Sequence, residues 1–299
     1  MYSGLYKLLP PQVISRNEPM KNHTTFRIGG PVDILVSPRS LAEIKLTINY
    51  CRQHEIPLLI FGRGSNILVR DKGIRGVAIN IGHNLQAMQV EGEQIYAQAG
   101  ISLGLLAQQA AACALSGLEF AEGIPGSLGG AIVMNAGAYA GEMQGVVLEV
   151  ETLSPAGQEH IFRGEEIGFN YRSSVFQHNG FIIVAARLQL KKGNQESIQL
   201  QMRAYARSRR EKQPLEYPSA GSVFKRPPGF YVGPMIEELG LKGCRIGGAE
   251  VSSKHAGFIV NSGSATASDV LELIATIKRA AWGKYGVELQ PEIKVIGEE

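Results

Sequence analysis

The sequence predicts an α+β protein in three units, and three observations lead there. Capped, helix-period apolar stripes are interspersed with short apolar runs set off by turn residues. The 299 residues correspond to about two domains at roughly 150 residues each, with one or three also in range. Tyr217-Pro218 and Pro227-Pro228-Gly229 punctuate the chain around a last stretch with helices and strands of its own.

The elements follow in order. Ser40-Leu41-Ala42-Glu43 is a capping box, with Ser at the N-cap and Glu three residues on. Leu41, Ile44, Ile48 and Cys51 then line one helical face up to His54, and Pro57 stops the run. Leu58 to Phe61 reads as a short buried strand feeding Gly62-Arg63-Gly64-Ser65-Asn66, with further strands at 67–69 and 77–81. The middle of the chain opens on a hairpin, 88–90 against 94–96, turned at Glu91-Gly92-Glu93. A helix over 103–116 is expected to close on Gly117, and the loop Gly123 to Gly130 to precede a helix. Strands at 146–153, 158–162 and 181–190 follow, the first two joined by Ser154-Pro155-Ala156-Gly157. The helix 195–213 carries Glu196 in its first turn and Arg203, Arg207, Arg209, Arg210 and Lys212 toward its end, an order that suits the helix dipole. Taken alone, that basic end reads as a solvated face, the alternative being that it faces an anionic ligand. The last unit holds Gly221-Ser222-Val223-Phe224, a helix near 235–239, a strand at 257–261, a helix over 266–285 ended by Gly286, and a final strand over 287–296.

Composition excludes several classes. At 44% hydrophobic and 19% charged the chain has the apolar material for packed cores, so it is neither disordered nor fibrous. Thirty basic against 27 acidic residues give +3, which demands no nucleic-acid partner. Cys51, Cys113 and Cys244 are odd in number and far apart, which argues for a reducing compartment and against a disulfide framework. The start lacks a basic region followed by an apolar stretch, and no apolar run reaches the roughly 18 residues of a membrane span. The expectation is a cytoplasmic protein with no membrane partner.

Familiar motifs fail in turn. There is no Cys-x-x-Cys and no His-Glu-x-x-His, so no metal site is expected. No Gly-x-x-x-x-Gly-Lys-Ser/Thr occurs. Gly62-Arg63-Gly64 begins like a dinucleotide fingerprint, but Ile67 stands where the third glycine belongs, so a Rossmann site is not expected. Ser222 to Lys225 matches Ser-x-x-Lys without the Ser-Asp-Asn and Lys-Thr-Gly that acyl transfer requires. What remains is 36 glycines, some of them clustered in two loops. Runs of amides without side-chain cover form an anion nest, and two such loops facing each other would grip a pyrophosphate; the alternative is two ordinary tight turns.

With these loops go Asn22 to Pro31, Asn170-Tyr171-Arg172-Ser173-Ser174, Ala220 to Lys225, Gly247 to Phe258 and Pro291-Glu292-Ile293. In this set and order, the chain resembles the UDP-N-acetylenolpyruvoylglucosamine reductase family of flavoenzymes over nearly its whole length. The resemblance implies a two-part FAD-binding region, 1–80 (joined by a strand from 287–299) and 81–213, with a substrate-binding α+β domain over 214–286. It implies non-covalent FAD at Gly62, Gly64, Ser65, Asn66, Ile67, Gly123, Ile124, Pro125, Gly126, Ser127, Gly130, Ala131 and Asn135.

The implied reaction is reduction of UDP-N-acetylglucosamine enolpyruvate to UDP-N-acetylmuramate in peptidoglycan synthesis, with NADPH as co-substrate. Hydride from flavin N5 reaches the vinyl carbon and charge develops toward the carboxylate, where preorganised donors are needed. By the same resemblance Arg172 holds the carboxylate, a protonated Glu292 stabilises the intermediate and Ser222 protonates the carbon. Lys212 matches a diphosphate-contacting position. Arg226 replaces the Asn of Phe-Lys-Asn-Pro in many relatives, which leaves its own contact with substrate open. The rivals are an oxidase or dehydrogenase of the same flavin fold and a non-catalytic nucleotide-sugar sensor. Neither glycine loop carries the His or Cys of a covalent flavin, and Arg172, Ser222 and Glu292 together disfavour a sensor.

Overall fold

The computed structural model describes residues 2–299. Contacts group the chain into two units, one of residues 2–16, 34–63 and 76–208, the other of 17–33, 64–75 and 209–299. The expected stretches 1–80 and 81–213 contribute to one continuous core in the first unit, from Leu5 and Val13 through Ile95 and Leu106 to Ile198 and Met202.

Two sheets supply most of the first unit. Strands Ile14–Pro19, Pro31–Val36, Ile74–Asn80 and Leu58–Phe61 lie in that order, with Leu58 to Phe61 parallel to Val77 to Asn80. The helix Leu41–Gln53 starts as the sequence predicts: Ser40 Oγ accepts from the Glu43 amide at 3.3 Å, and Ile44, Ile48 and Cys51 are buried. Glu43 returns the bond to the Arg39 amide at 2.6 Å, one residue before the cap. The second sheet is antiparallel, in the order Glu159–Arg163, Val147–Leu153, Ile182–Gln189, Gln94–Gln98 and Met88–Glu91.

One expectation here is corrected. The helix predicted over 103–116 ends at Ala112: Ala114 takes φ +55°, and Leu115–Ser116 pairs with Lys191–Lys192 as a short antiparallel ribbon. The apolar pattern continues through buried Leu115, but a strand partner distant in sequence claims it.

The second unit packs its own core, from Phe26 and Leu68 through Phe224, Ile259 and Ile277 to Ile293. Its sheet runs Ser219–Ser222, Phe258–Asn261, Ala249–Val251, Arg245–Ile246. The helix Ala267–Tyr285 is capped at both ends. Thr266 Oγ1 accepts from the Asp269 amide at 3.1 Å while Asp269 accepts from the Thr266 amide at 2.9 Å, and Gly286 closes it at φ +64°. Backbone donors at the helix start, Thr266 first and then Gly248, hold the Asp269 carboxyl below its ordinary range. Asp71 adds three bonds of 2.8, 3.0 and 2.8 Å from the Ala267 and Ser268 amides and the Ser268 hydroxyl. Trp282, the one tryptophan of the sequence, stands on the outer face of this helix, 63% exposed.

The final strand is also shorter than predicted, Lys294–Ile296, and runs parallel to Ile67–Val69. Pro291 has no amide to give a ladder, so the strand begins after it. No helix among the described residues is long and apolar enough to cross a membrane. Because the Thr266 cap ties two backbone groups, Thr266→Ala is expected to lower the unfolding free energy by about 1 kcal/mol, read as a fall in urea midpoint with unchanged slope.

Candidate functional site

The Gly123 to Gly130 loop lies wholly in the first unit and is pinned along its length. Gly126 O accepts from the Leu103 amide at 3.0 Å, and the Leu128 and Gly129 amides donate to Ile101 O and Ala99 O at 2.9 and 2.8 Å. Ser127 caps the helix Leu128–Val133, its Oγ accepting from the Gly130 amide at 3.4 Å. Gly123, Pro125 and Gly130 are exposed, Ile124 and Gly126 half-buried, Ser127 and Ala131 buried.

The other glycine loop is divided between the units, Gly62 and Arg63 in the first and Gly64 onward in the second. A Cβ on Gly62 would stand 2.1 Å from Ser127 Oγ, so the two loops meet at a separation that only glycine permits. Asn80 pairs in register with Phe61, the residue before Gly62, and its buried Oδ1 finds no partner among the described residues. Glu119 Oε1, just before the other loop, is likewise buried and unmatched. A buried acceptor without a donor costs about 1–3 kcal/mol. Bare backbone beside unmatched acceptors suits a ligand that brings both a diphosphate and N–H or O–H donors, as FAD does.

Arg172, also in the first unit, is the third residue of a turn closed by reciprocal bonds between Asn170 and Ser173 at 3.0 and 3.1 Å. Its backbone is left-handed, φ +51°. Its Nη2 donates to Gly137 O at 3.1 Å and its guanidinium lies 5.2 Å from the centre of the Tyr171 ring. Gly137 belongs to a hairpin, Gly137–Ala138 against Gly141–Glu142, whose tip Tyr139 stacks on Tyr205 at 4.1 Å. Asn135 is fully buried with both ends of its amide engaged by backbone: Nδ2 donates to Asn170 O at 3.2 Å and Oδ1 accepts from the Gln144 amide at 3.0 Å.

In the second unit Gly64 needs its φ of +64°, and a Cβ there would meet His23 O at 2.1 Å. Among the described residues no backbone carbonyl accepts from the Ser65 or Asn66 amide. The Asn66 side chain donates to Glu292 O at 3.2 Å, and Asn66 O accepts from the Lys294 amide at 2.9 Å. The Glu292 amide donates to Val223 O at 2.7 Å, beside half-buried Ser222. The unit thus gathers Asn66, Ser222 and Glu292 along one seam. Among the described residues the Ser222 hydroxyl makes only a long 3.3 Å bond, to Phe224 O.

The basic candidates are less engaged. Lys212 is exposed at the end of Gln195–Lys212, where Arg209 is the buried cation. Arg226 is exposed with its guanidinium 3.8 Å over the Tyr231 ring and its Nε donating to Phe230 O at 3.2 Å.

Sequence reasoning gave no role to His255, which accepts from the Gly257 amide at 3.1 Å through Nδ1 and packs edge-on against Phe258. A lone histidine within a turn-rich stretch carries no spacing signal. Burial, more than nearby Lys242, keeps its imidazole below the usual 6.5. Among the described residues no group of His, Cys, Asp or Glu is arranged to hold a metal.

Comparison with known proteins bears directly on these features. The family profile described as FAD binding domain matches residues 32–163, and that described as UDP-N-acetylenolpyruvoylglucosamine reductase, C-terminal domain, matches 213–296. The chain is 59% identical to the UDP-N-acetylenolpyruvoylglucosamine reductase of Syntrophomonas wolfei over 100% of both chains. It is 51% identical to the protein of that name from Caldanaerobacter subterraneus, over 99% of this chain and 97% of the other. It is similar to the crystal structure of the Thermus caldophilus reductase at TM-score 0.81 and 39% identity, covering 93% of this chain and 97% of that one. A likeness to the glucose dehydrogenase Phl p 4 at TM-score 0.51 and 15% identity, over 64% of this chain and 44% of that one, shows a common fold alone.

Gly62→Ala is expected to cost about 1–3 kcal/mol of stability through overpacking and to yield protein with little yellow colour. Adding Ser127→Ala, which removes the obstructing oxygen, is expected to restore much of both in melting curves and flavin content. For His255 the unfolded chain takes up a proton at higher pH than the folded one. Stability therefore rises with pH up to about 6.5 and gains nothing from this group above it. His255→Gln is expected to flatten that rise in a pH series of denaturation midpoints.

Proposed function

Because the chain belongs to the UDP-N-acetylenolpyruvoylglucosamine reductase family, we propose that it works with NADPH as reductant and with Arg172, Ser222 and Glu292 acting on the enolpyruvyl ether. It is an FAD-dependent oxidoreductase that reduces UDP-N-acetylglucosamine enolpyruvate in peptidoglycan synthesis. In the first unit, Gly62 and the Gly123 to Gly130 loop hold the FAD non-covalently, through those amides that the loop's own bonds leave over at its diphosphate. When bound, the flavin supplies the hydride that adds to the vinyl carbon.

The residues manage charge and protons. Arg172 takes the substrate carboxylate in its planar fork, which fixes the alkene's orientation and stabilises the negative charge that develops toward that carboxylate. Its present acceptor, a neutral carbonyl at 3.1 Å, is exchanged for a charged one, and charge-assisted bonds are the stronger kind. The Glu292 carboxyl supports the same developing charge. Ser222 donates its hydroxyl proton to the carbon beside the carboxylate and recovers it from water. A serine's high pKa is no obstacle when the acceptor is a strongly basic carbon. Lys212 pairs with the substrate diphosphate, and Arg226, already stacked on Tyr231, offers a second cation to it.

The observation that supports this reading best is the 2.7 Å bond from the Glu292 amide to the carbonyl of the residue after Ser222. It brings two residues that sequence places far apart onto one seam. Ser222→Ala tests the assignment. Bleaching of the yellow protein by NADPH is expected to keep its rate, whereas return of the colour with the enolpyruvyl sugar nucleotide slows at least about 100-fold, within the usual range for losing a positioned proton donor. Stopped-flow traces in which both phases slow alike would show that the serine acts otherwise.

A further inference from the structure

We infer that Gln177 and Asn135 form an amide clamp that aims Arg172, making both of them positioning residues for the reduction. The inference rests on the reading of Arg172 given under Proposed function. The left-handed backbone at Arg172, φ +51°, is a conformation that a residue with a Cβ does not hold by preference. A positive φ at the third residue of a turn usually falls to Gly or Asn, so an arginine there needs support from outside the turn.

Two carbonyls of the turn are gripped from outside it. Gln177 Nε2 donates to Arg172 O at 2.9 Å and also to Val133 O at 3.1 Å. Asn135 Nδ2 donates to Asn170 O at 3.2 Å, with its Oδ1 already tied to the Gln144 amide. Fixing the carbonyls at 170 and 172 fixes the peptide planes between them, and with them the direction in which the Arg172 side chain leaves the backbone. That direction carries the guanidinium to Gly137 O. Asn135 has no exposed surface, so its amide acts on the turn.

The anchor for this clamp is the end of the helix Leu128–Val133. Val133 O receives Gln177 and also Ser174 Oγ at 2.9 Å, and Asn135 lies two residues beyond the helix. The same helix begins at Ser127, against which Gly62 packs. One six-residue helix therefore joins the glycine loop to the arginine, and a disturbance at either end is felt at the other without touching substrate.

The test is Gln177→Met, which keeps an unbranched side chain of similar length and removes the amide donor. The expected protein is yellow and bleaches with NADPH within about twofold of the parent rate. Return of the colour with the enolpyruvyl sugar nucleotide slows about tenfold or more, as loss of the bond to Arg172 O implies. Hydrogen exchange speeds up at residues 170–173. Ser174→Ala removes a bond at the same helix end without touching Arg172, and is expected to leave the colour return within about twofold. In an Arg172→Ala background, Gln177→Met should add less than about twofold.

An undiminished colour return in Gln177→Met, or a full tenfold loss added to that of Arg172→Ala, overturns the clamp while leaving the role of Arg172 intact. Arg172→Ala with an unaltered colour return overturns that role, and the clamp with it. If Gln177→Met does not fold, Gln177→Leu carries the same expectations, because it also lacks the donor and its smaller apolar chain fits the space the glutamine leaves.

Discussion

The second unit depends on what Asn66 holds. Its side chain takes the carbonyl of Glu292 and its own carbonyl takes the amide of Lys294, so a single residue registers the last strand against Ile67–Val69. Without that register, residues 290–292 would have no reason to lie along Val223 and Lys225, where the Lys225 amide meets Gln290 O at 2.9 Å. Closing so long a loop is paid for by contacts spread over the seam, since loop entropy grows only slowly with length. Asp71 secures the same segment to the start of the long helix. The seam is thus held from two sides, and the Ser222 and Glu292 backbones inherit its rigidity.

In the first unit the corresponding constraint is steric. Gly62 and Ser127 approach so closely that one added carbon would force the loops apart. The loop then runs into a helix too short to have much stability of its own, and that helix is stabilised by what its ends hold. At its start Ser127 caps the Gly130 amide, and beyond its end Asn135 and Gln177 secure the arginine turn.

Much of this was legible in the sequence, and the parts that were not share a cause. The capped helices Leu41–Gln53 and Ala267–Tyr285, the stop at Pro214 and the strands around Ser154 to Gly157 are local, and local signals specified them. The early end of Leu103–Ala112 and the three-residue final strand are decided by partners far along the chain, Lys191–Lys192 and Ile67–Val69. Periodicity does not report such pairings. Family resemblance singled out Arg172, Ser222 and Glu292. The amides that brace the Arg172 turn could not be singled out, because Gln177 and Asn135 resemble any other polar residue until their acceptors are known. Asn135 was expected at the cofactor, and its side chain bonds two backbone groups.

The placement of Trp282 has a practical side. The only indole sits on a helix of the second unit, largely in water, while the first unit contains none. Ultraviolet emission excited through tryptophan consequently follows only the half of the molecule built around the Asn66 seam, whereas far-ultraviolet dichroism sums both halves. Whether the two cores melt as one body or in succession can be read by overlaying those signals, with no label or engineered probe.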